Sequence, residues 1–379
     1  MEYLVRFSQA HESFRLPELQ ALADLEGIDM KVVEYSPDAF LHSFLSPFCI
    51  ITLPSPSDAP RLVARSLLTQ SIHRLIASAP SHDALHEAVK SSLAAPGPSS
   101  FDWPAVAAAR FKFSLDSYQT TRPHADFVAL INGFRYLPLR GSIDLKSPEL
   151  ELTIFEDWDL HGARPKRVHL GRHLAAGARH LGLRYDLKKR GYISTTSMDA
   201  ELALVTANLA HAAPGRLFYD PFVGTGSFPV ACAHFGALAF GSDIDGRSIR
   251  GAGGDRSVRG NFAQYGLLDR AGEFWTADLT NSPVRRSRWL DGIVCDPPYG
   301  VREGLRVLGC RDPEKTPWVV EAGKQRYKLI TYRRIPDSQV DPERLAAYKR
   351  TVVAGTTADE LNPFRKGYFT KFEKEEPES

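Results

Sequence analysis

Short apolar runs alternate with helical patterns in the first part of the chain. Helical spacing predicts a proline-opened helix over residues 17–26 and a second helix over 61–76. Short apolar runs predict strands at residues 3–7, 31–35 and 49–53. These elements indicate an α+β domain over residues 1–95.

A stretch rich in Pro, Gly and Ser, residues 91–100, predicts a loop or linker. After it, residues 111–113 and 149–155 predict strands, and residues 125–131 predict a helix between them. This pattern indicates a second small α+β unit over residues 101–160.

From about residue 217 the pattern changes to strands that alternate with helices, which is typical of a parallel sheet covered on both faces. Helices are predicted at residues 227–235 and 257–265. Four strands are predicted, at residues 217–219, 238–242, 274–276 and 292–295. The fold class is therefore α/β, with this sheet in a domain over 201–335, a basic connecting segment over 161–200 and a polar tail over 336–379.

The composition narrows the class of protein. Of the 379 residues, 43% are hydrophobic and 24% are charged, as in a globular protein. No apolar run approaches the roughly 20 residues of a membrane span, and the first residues carry no export signal. The four cysteines form no CxxC pair, which favours a reducing, cytoplasmic compartment and argues against a structural metal site.

Basic residues are concentrated between residues 164 and 190, where nine Lys and Arg face a single acid, Asp186. Such a segment suits a phosphate backbone, although a solvated helix face would show the same charge. We predict that RNA contacts involve the following residues: Arg164, Lys166, Arg167, Arg172, Lys188, Lys189 and Arg190.

A glycine loop follows the first strand of the parallel sheet. In the segment 220–227, Gly224 and Gly226 permit a tight turn and a close approach of a ligand to a helix N-terminus. Pro229 occupies the place of the third glycine of a dinucleotide fingerprint, which argues against a pyrophosphate cradle.

Three acids indicate which kind of ligand this loop binds. Asp220 closes the first strand, Asp243 closes the second and Asp278 follows the third, so all three are expected at one edge of the sheet. Asp243 can accept hydrogen bonds from both ribose hydroxyls. Asp278 can accept a hydrogen bond from an adenine amine, and Asp220 can accept one from a cationic amino group. An adenosine cofactor with an amine and no phosphate is S-adenosylmethionine. Each acid alone would also fit a loop N-cap or a surface charge.

The fourth strand ends in Asp296-Pro297-Pro298-Tyr299-Gly300. Prolines cannot continue a sheet ladder, so a stiff turn presents one carboxylate, outward carbonyls and one aromatic ring. Two acceptors and a ring suit a flat base that carries an exocyclic amine. We therefore predict that Asp296, Pro297, Pro298 and Tyr299 form the catalytic motif.

With these motifs in place, the chain resembles the catalytic subunit of the eukaryotic tRNA (guanine-10-N2)-methyltransferases. Residues 220–227 look like the family's cofactor loop, and residues 296–299 look like its catalytic tetrapeptide. Residues 188–199 look like the segment that closes over the methionine end of the cofactor. The resemblance implies that the unit over residues 101–160 is a THUMP-like RNA-binding domain, and that a Rossmann-like methyltransferase domain follows it.

The resemblance also implies site residues and partners. It adds Phe222, Thr196 and Ser197 to the cofactor-binding set. It implies transfer of a methyl group to the N2 amine of guanine 10 of tRNA, with a small zinc-binding activator subunit as partner. No metal site is expected in the chain itself.

The chain departs from the family's pattern after Gly300, since only 379 − 300 = 79 residues follow. Only residues 327–332 predict a strand there, so we expect the sheet to be incomplete after its fourth strand, with a junction near residues 327–329. An exposed fourth strand would lose one wall of the pocket. Two alternatives therefore stay open: an inactive tRNA-binding or partner-binding form, and an adenine N6-methyltransferase.

Overall fold

A computed structural model describes residues 1–35, 46–97, 100–279, 283–284 and 289–297, together with two strands at 318–322 and 325–329. The chain divides into two compact units, residues 1–186 and 187–379. The mixed α/β class predicted from the sequence is confirmed in both units.

Across its described residues, the first unit is built on a seven-stranded sheet with the order β2-β3-β1-β4-β7-β6-β5. Of its neighbouring strands only β5 and β6 run parallel, and every other pair is antiparallel. The strands are β1 Glu2–Phe7, β2 Lys31–Glu34, β3 Phe48–Thr52, β4 Thr69–Ala79, β5 Phe111–Tyr118, β6 Leu150–Asp157 and β7 Arg167–Ala176.

Helices of the first unit pack apolar side chains onto this sheet. One core joins Leu19 and Leu62 to Val5, and another joins Leu85 and Trp103 to strand residues of β6 and β7. The helices are α1 Arg15–Glu26, α2 Asp58–Val63, α3 His82–Ala94, α4 Trp103–Val106, α5 His124–Asn132 and α6 His180–Arg184. The predicted linker at 91–100 therefore begins inside α3.

The predicted helix over residues 61–76 is wrong. The chain leaves α2 at Val63 and enters strand β4 at Thr69. The turn between them is held by the buried carboxylate of Glu18, which accepts hydrogen bonds from the backbone amides of Leu67 and Leu68, both at 3.0 Å. A contact from α1, almost fifty positions away, thus overrides the helical spacing of the apolar residues.

Residues 161–200, predicted as a connecting segment, contain strand β7. This strand pairs with β4 on one side and with β6 on the other. It therefore joins the predicted domains 1–95 and 101–160 into one continuous sheet.

The second unit contains the predicted parallel sheet, and its alternation of strands and helices is confirmed. Within the described residues the sheet has four parallel strands in the order β10-β9-β8-β11. The strands are β8 Leu217–Asp220, β9 Leu238–Asp243, β10 Ala271–Thr276 and β11 Gly292–Ile293. The helices are α7 Ala200–Leu209, α8 Ser227–His234, α9 Gly246–Arg250 and α10 Val258–Gln264.

Two further strands, β12 Trp318–Ala322 and β13 Gln325–Leu329, pair with each other in antiparallel fashion. The predicted strand at 327–332 overlaps β13, and residues 330–332 lie outside the described part of the chain. Residues 298–317 lie outside it as well, so the expected incompleteness of the sheet stays a prediction.

Candidate functional site

The parallel topology brings the carboxyl ends of four strands to one edge of the second unit. Asp220 is the last residue of β8 and Asp243 is the last residue of β9. Asp278 follows the end of β10, and Asp296 follows the end of β11. Because β8 lies between β9 and β11, Asp220 stands at the centre of this edge.

Asp220 is almost completely buried, with 2% of its surface exposed. Burial is the main cause that raises the pKa of its carboxyl to about 8; a hydrogen bond from the Phe222 amide lowers this pKa, and the charges of Asp243 and Asp296 contribute to raising it. That amide lies 2.9 Å from the Asp220 Oδ1. A buried carboxylate flanked by two others favours a ligand that brings positive charge.

The glycine loop folds back onto the acid of β9. Gly224 and Gly226 have φ values of 49° and 86°, in the left-handed region that glycine tolerates. The Gly224 amide donates to Asp243 Oδ2 at 2.9 Å, and the Asp245 amide donates to Asp243 Oδ1 at 2.9 Å. Each carboxylate oxygen retains a lone pair that can accept from a ligand hydroxyl.

Residues 188–199, which we name the strap, lie against the glycine loop. The hydroxyls of Ser197 and Thr225 are 2.7 Å apart, so the predicted residue Ser197 contacts the loop directly. Thr196 is exposed, and its hydroxyl lies 3.2 Å from that of Ser194. The strap continues into α7, whose N-cap is the carboxylate of Asp199.

The catalytic motif is described only in part. Asp296 is half-buried and Pro297 is exposed, whereas Pro298 and Tyr299 lie outside the described residues. Burial raises the pKa of the neighbouring Cys295 thiol to about 12, with added contributions from Asp220 and Asp296. The thiol therefore stays protonated at neutral pH, which argues against a nucleophilic role.

The predicted RNA-binding residues are divided between the two units. In the first unit Arg164 and Lys166 are exposed, and Arg172 is half-buried within β7. Lys166 lies 3.2 Å from Asp159, and Arg167 lies 2.6 Å from Glu34. Both cations thus have acidic partners that an RNA phosphate would have to displace. In the second unit Lys188 and Lys189 are exposed.

Arg190 corrects the prediction for this segment. Arg190 is only 6% exposed to solvent. Its Nη1 donates to Ser227 Oγ at 2.9 Å, and its guanidinium lies 5.9 Å from the Tyr265 ring centroid. A guanidinium held inside the fold by a hydroxyl and a ring is not presented to a phosphate backbone. Arg190 therefore anchors the strap, of which it is part, to the start of α8.

Sequence reasoning missed Asn261. Its side chain is fully buried in α10, on the same helix face as Val258. A polar residue at an apolar position of a short helix was the available signal, because buried amides are kept where they satisfy backbone groups.

The arrangement fits S-adenosylmethionine. Buried Asp220 suits a cationic amino group, Asp243 suits vicinal hydroxyls, and the glycine loop allows a close approach of the ligand. Among the described residues no cluster of His, Cys, Asp or Glu could hold a metal ion. Within the same residues no helix has the length and apolar character needed to cross a membrane.

Comparisons with known proteins agree with this geometry. A family model described as the Tmrp11 THUMP N-terminal domain matches residues 1–179, and one described as the RMKL-like methyltransferase domain matches residues 188–306.

Among curated relatives, the tRNA (guanine(10)-N(2))-methyltransferase of Saccharomyces cerevisiae is 38% identical, covering 83% of this chain and 71% of the relative. The enzyme of that name from Schizosaccharomyces pombe is 37% identical, covering 89% and 76%. The Homo sapiens relative is 31% identical, covering 81% and 67%. The chain belongs to the tRNA (guanine(10)-N(2))-methyltransferase family.

Proposed function

We propose that this chain transfers a methyl group from S-adenosylmethionine to the exocyclic N2 amine of guanine 10 in tRNA. The observation that carries the proposal is the meeting of Asp220, Asp243 and Asp296 at one edge of the parallel sheet. Bound S-adenosylmethionine supplies a methyl group on a sulfonium, which an amine can attack.

Each acid at a strand end binds a different part of the cofactor. Asp220 holds the amino group of the cofactor, Asp243 accepts from the ribose hydroxyls and Asp278 accepts from the adenine amine. The glycine loop and Phe222 form the adjoining wall, and the strap residues Thr196 and Ser197 cover the methionine end.

The catalytic motif acts on the amine of the base. The Asp296 carboxylate and the Pro297 carbonyl accept hydrogen bonds from the two N–H groups of the amine, which raises the electron density on nitrogen. Tyr299 stacks on the base, and Pro298 stiffens the turn that presents it. Since the target lies in a stem, the base is extruded before it is held.

Partners and location belong to the same proposal. The tRNA backbone is contacted by the THUMP domain and by six basic residues: Arg164, Lys166, Arg167, Arg172, Lys188 and Lys189. The family resemblance supports a small zinc-binding activator subunit, and the four cysteines without a CxxC pair favour a cytoplasmic location.

A methyl-transfer assay tests the proposal. The purified chain, with and without the activator subunit, is incubated with S-adenosylmethionine and tRNA transcripts that carry guanosine or inosine at position 10. Inosine lacks only the N2 amine, so we expect N2-methylguanosine by mass spectrometry from the first transcript and no methylation of the second. Asp296→Asn should lower the rate about 100-fold because a neutral amide stabilises the positive charge that develops on the amine less than a carboxylate does, while the neighbouring Cys295→Ala keeps most of the rate.

Other results would support the alternatives. N6-methyladenosine in either transcript would identify an adenine methyltransferase. Absence of both methyl transfer and cofactor binding, with and without the activator, would identify a non-catalytic binding protein.

A further inference from the structure

Asn261 uses every hydrogen-bonding group of its side-chain amide on the backbone of other segments. Its Oδ1 accepts from the Tyr192 amide at 3.1 Å, and its Nδ2 donates to the Tyr192 carbonyl at 2.8 Å and to the Thr225 carbonyl at 2.9 Å. Tyr192 belongs to the strap, and Thr225 is the central residue of the glycine loop. One buried side chain therefore connects the strap, the loop and α10.

The same two segments are joined a second time by the Ser197 and Thr225 hydroxyls, 2.7 Å apart. Tyr192 is also anchored beyond Asn261, because its hydroxyl donates to the Ser248 carbonyl at 2.7 Å. Thr225 is 3% exposed and Asn261 is 0% exposed, so water cannot easily replace these bonds. The glycine loop and the strap are thus connected both through Asn261 and through the two hydroxyls.

The chemistry of the position requires an asparagine. Aspartate would place a carboxylate against two carbonyl oxygens, and leucine would leave one amide and two carbonyls buried without their partner. Only a carboxamide offers one acceptor and two donors in this compact form.

We infer that Asn261 is a positioning residue that couples the strap to the glycine loop and thereby sets the affinity for the cofactor without touching it. The inference rests on the proposed function, since it names how the proposed cofactor site is closed. Cofactor bound at the loop restrains Thr225, and Asn261 passes that restraint to Tyr192 and the strap.

Gln264, one turn further along α10, provides a matched control. It is exposed, its Oε1 accepts from the Gly191 amide at 2.8 Å and its Nε2 donates to the Lys189 carbonyl at 2.6 Å. These two bonds hold the strap but do not reach the glycine loop. Arg259, exposed on the same helix, pairs with Glu273 at 2.9 Å and controls for general damage to α10.

The test measures binding of S-adenosylmethionine to the full chain by calorimetry. Asn261→Ala and the isosteric Asn261→Asp should weaken binding about tenfold or more, Gln264→Ala by less than about twofold, and Arg259→Ala should leave binding unchanged. Wild-type affinity in both Asn261 variants, or an equal loss in Gln264→Ala, would overturn the inference.

Hydrogen exchange separates coupling from loss of folding. In the wild type, cofactor should slow exchange of the strap amides. In Asn261→Asp this protection should disappear while β8 and β9 remain protected. Retained cofactor-dependent protection of the strap would contradict the inference. A wild-type chain that binds no cofactor would instead refute the proposed function itself.

Discussion

At the scale of single residues, the position of a charged group along the chain predicted its role only where topology fixed its surroundings. Asp220, Asp243 and Asp296 were found from strand ends, and burial, with a smaller contribution from the charges of Asp243 and Asp296, raises the pKa of Asp220 to about 8. Arg190 was placed in an RNA surface by counting charges, yet it is buried. A charge count says nothing about the direction in which a side chain points.

Asp220→Asn is expected to stabilise the fold and to weaken binding of the cofactor. The folded-state pKa of about 8 lies above the ordinary value of 3.8, so the folded chain binds more protons between these values and loses stability as pH rises. The variant should therefore have a higher Tm than the wild type without cofactor, by more at pH 7.5 than at pH 5.5. Its affinity for S-adenosylmethionine should fall about 10- to 100-fold, because an amide lacks the charge.

Differential scanning fluorimetry with and without cofactor measures both effects. A Tm below that of the wild type at both pH values would show that the Asp220 carboxylate stabilises the fold, contrary to this prediction.

At the scale of elements, strands and helices with strong local patterns were predicted well, and the parallel sheet of the second unit is the clearest case. The error at residues 61–76 arose because β4 lies between β1 and β7, where its surroundings come from distant segments. Periodicity cannot distinguish a strand buried by such neighbours from a helix of similar composition.

Gly177→Ala tests how closely β4 and the end of β7 approach. The Gly177 amide donates to the Gln70 carbonyl at 3.1 Å, and a Cβ at Gly177 would collide with the Thr69 carbonyl oxygen. We expect a loss of about 1–3 kcal/mol in the free energy of unfolding of the first unit. Chemical denaturation followed by circular dichroism measures it.

Gly97→Ala is the matched control, because the nearest atom to a Cβ there is Ser100 Oγ at 3.9 Å. That variant should stay within about 0.5 kcal/mol of the wild type. Equal stability of the two variants would contradict the close approach of the strands.

At the scale of the whole molecule, the two units carry buried titratable groups of opposite kind. Burial, with His173 near one ring and Arg167 near the other, lowers the pKa of His73 and of His169 to about 3 in the first unit. Burial raises the pKa of Asp220 to about 8 in the second. The units should therefore respond differently to acid.

Lowering the pH from 7.5 to 5 is expected to lower the Tm of the first unit and to raise the Tm of the second, as measured by calorimetry. Below 6.5 the unfolded chain binds protons that folded His73 and His169 do not, so the first unit loses about 2 kcal/mol for each histidine. Over the same range protonation of Asp220 in the fold favours the second unit by about 3 kcal/mol.

The transition that Gly177→Ala shifts identifies the first unit in this measurement. If the Tm of both transitions decreased between pH 7.5 and pH 5, the expected effects of the two histidines and of Asp220 on stability would be wrong.

The sequence by itself determined the local chemistry of this protein. Strand ends, the glycine loop and the Asp-Pro-Pro-Tyr motif were recognised from neighbouring residues, since proline, glycine and strand alternation act over a few positions. The tertiary structure decided how these parts join. Strand β7 merges two predicted domains into one sheet, and Asn261 reaches Tyr192 across 69 positions of the chain. Such contacts follow from packing, because a buried polar group finds its partner only after distant segments have come together.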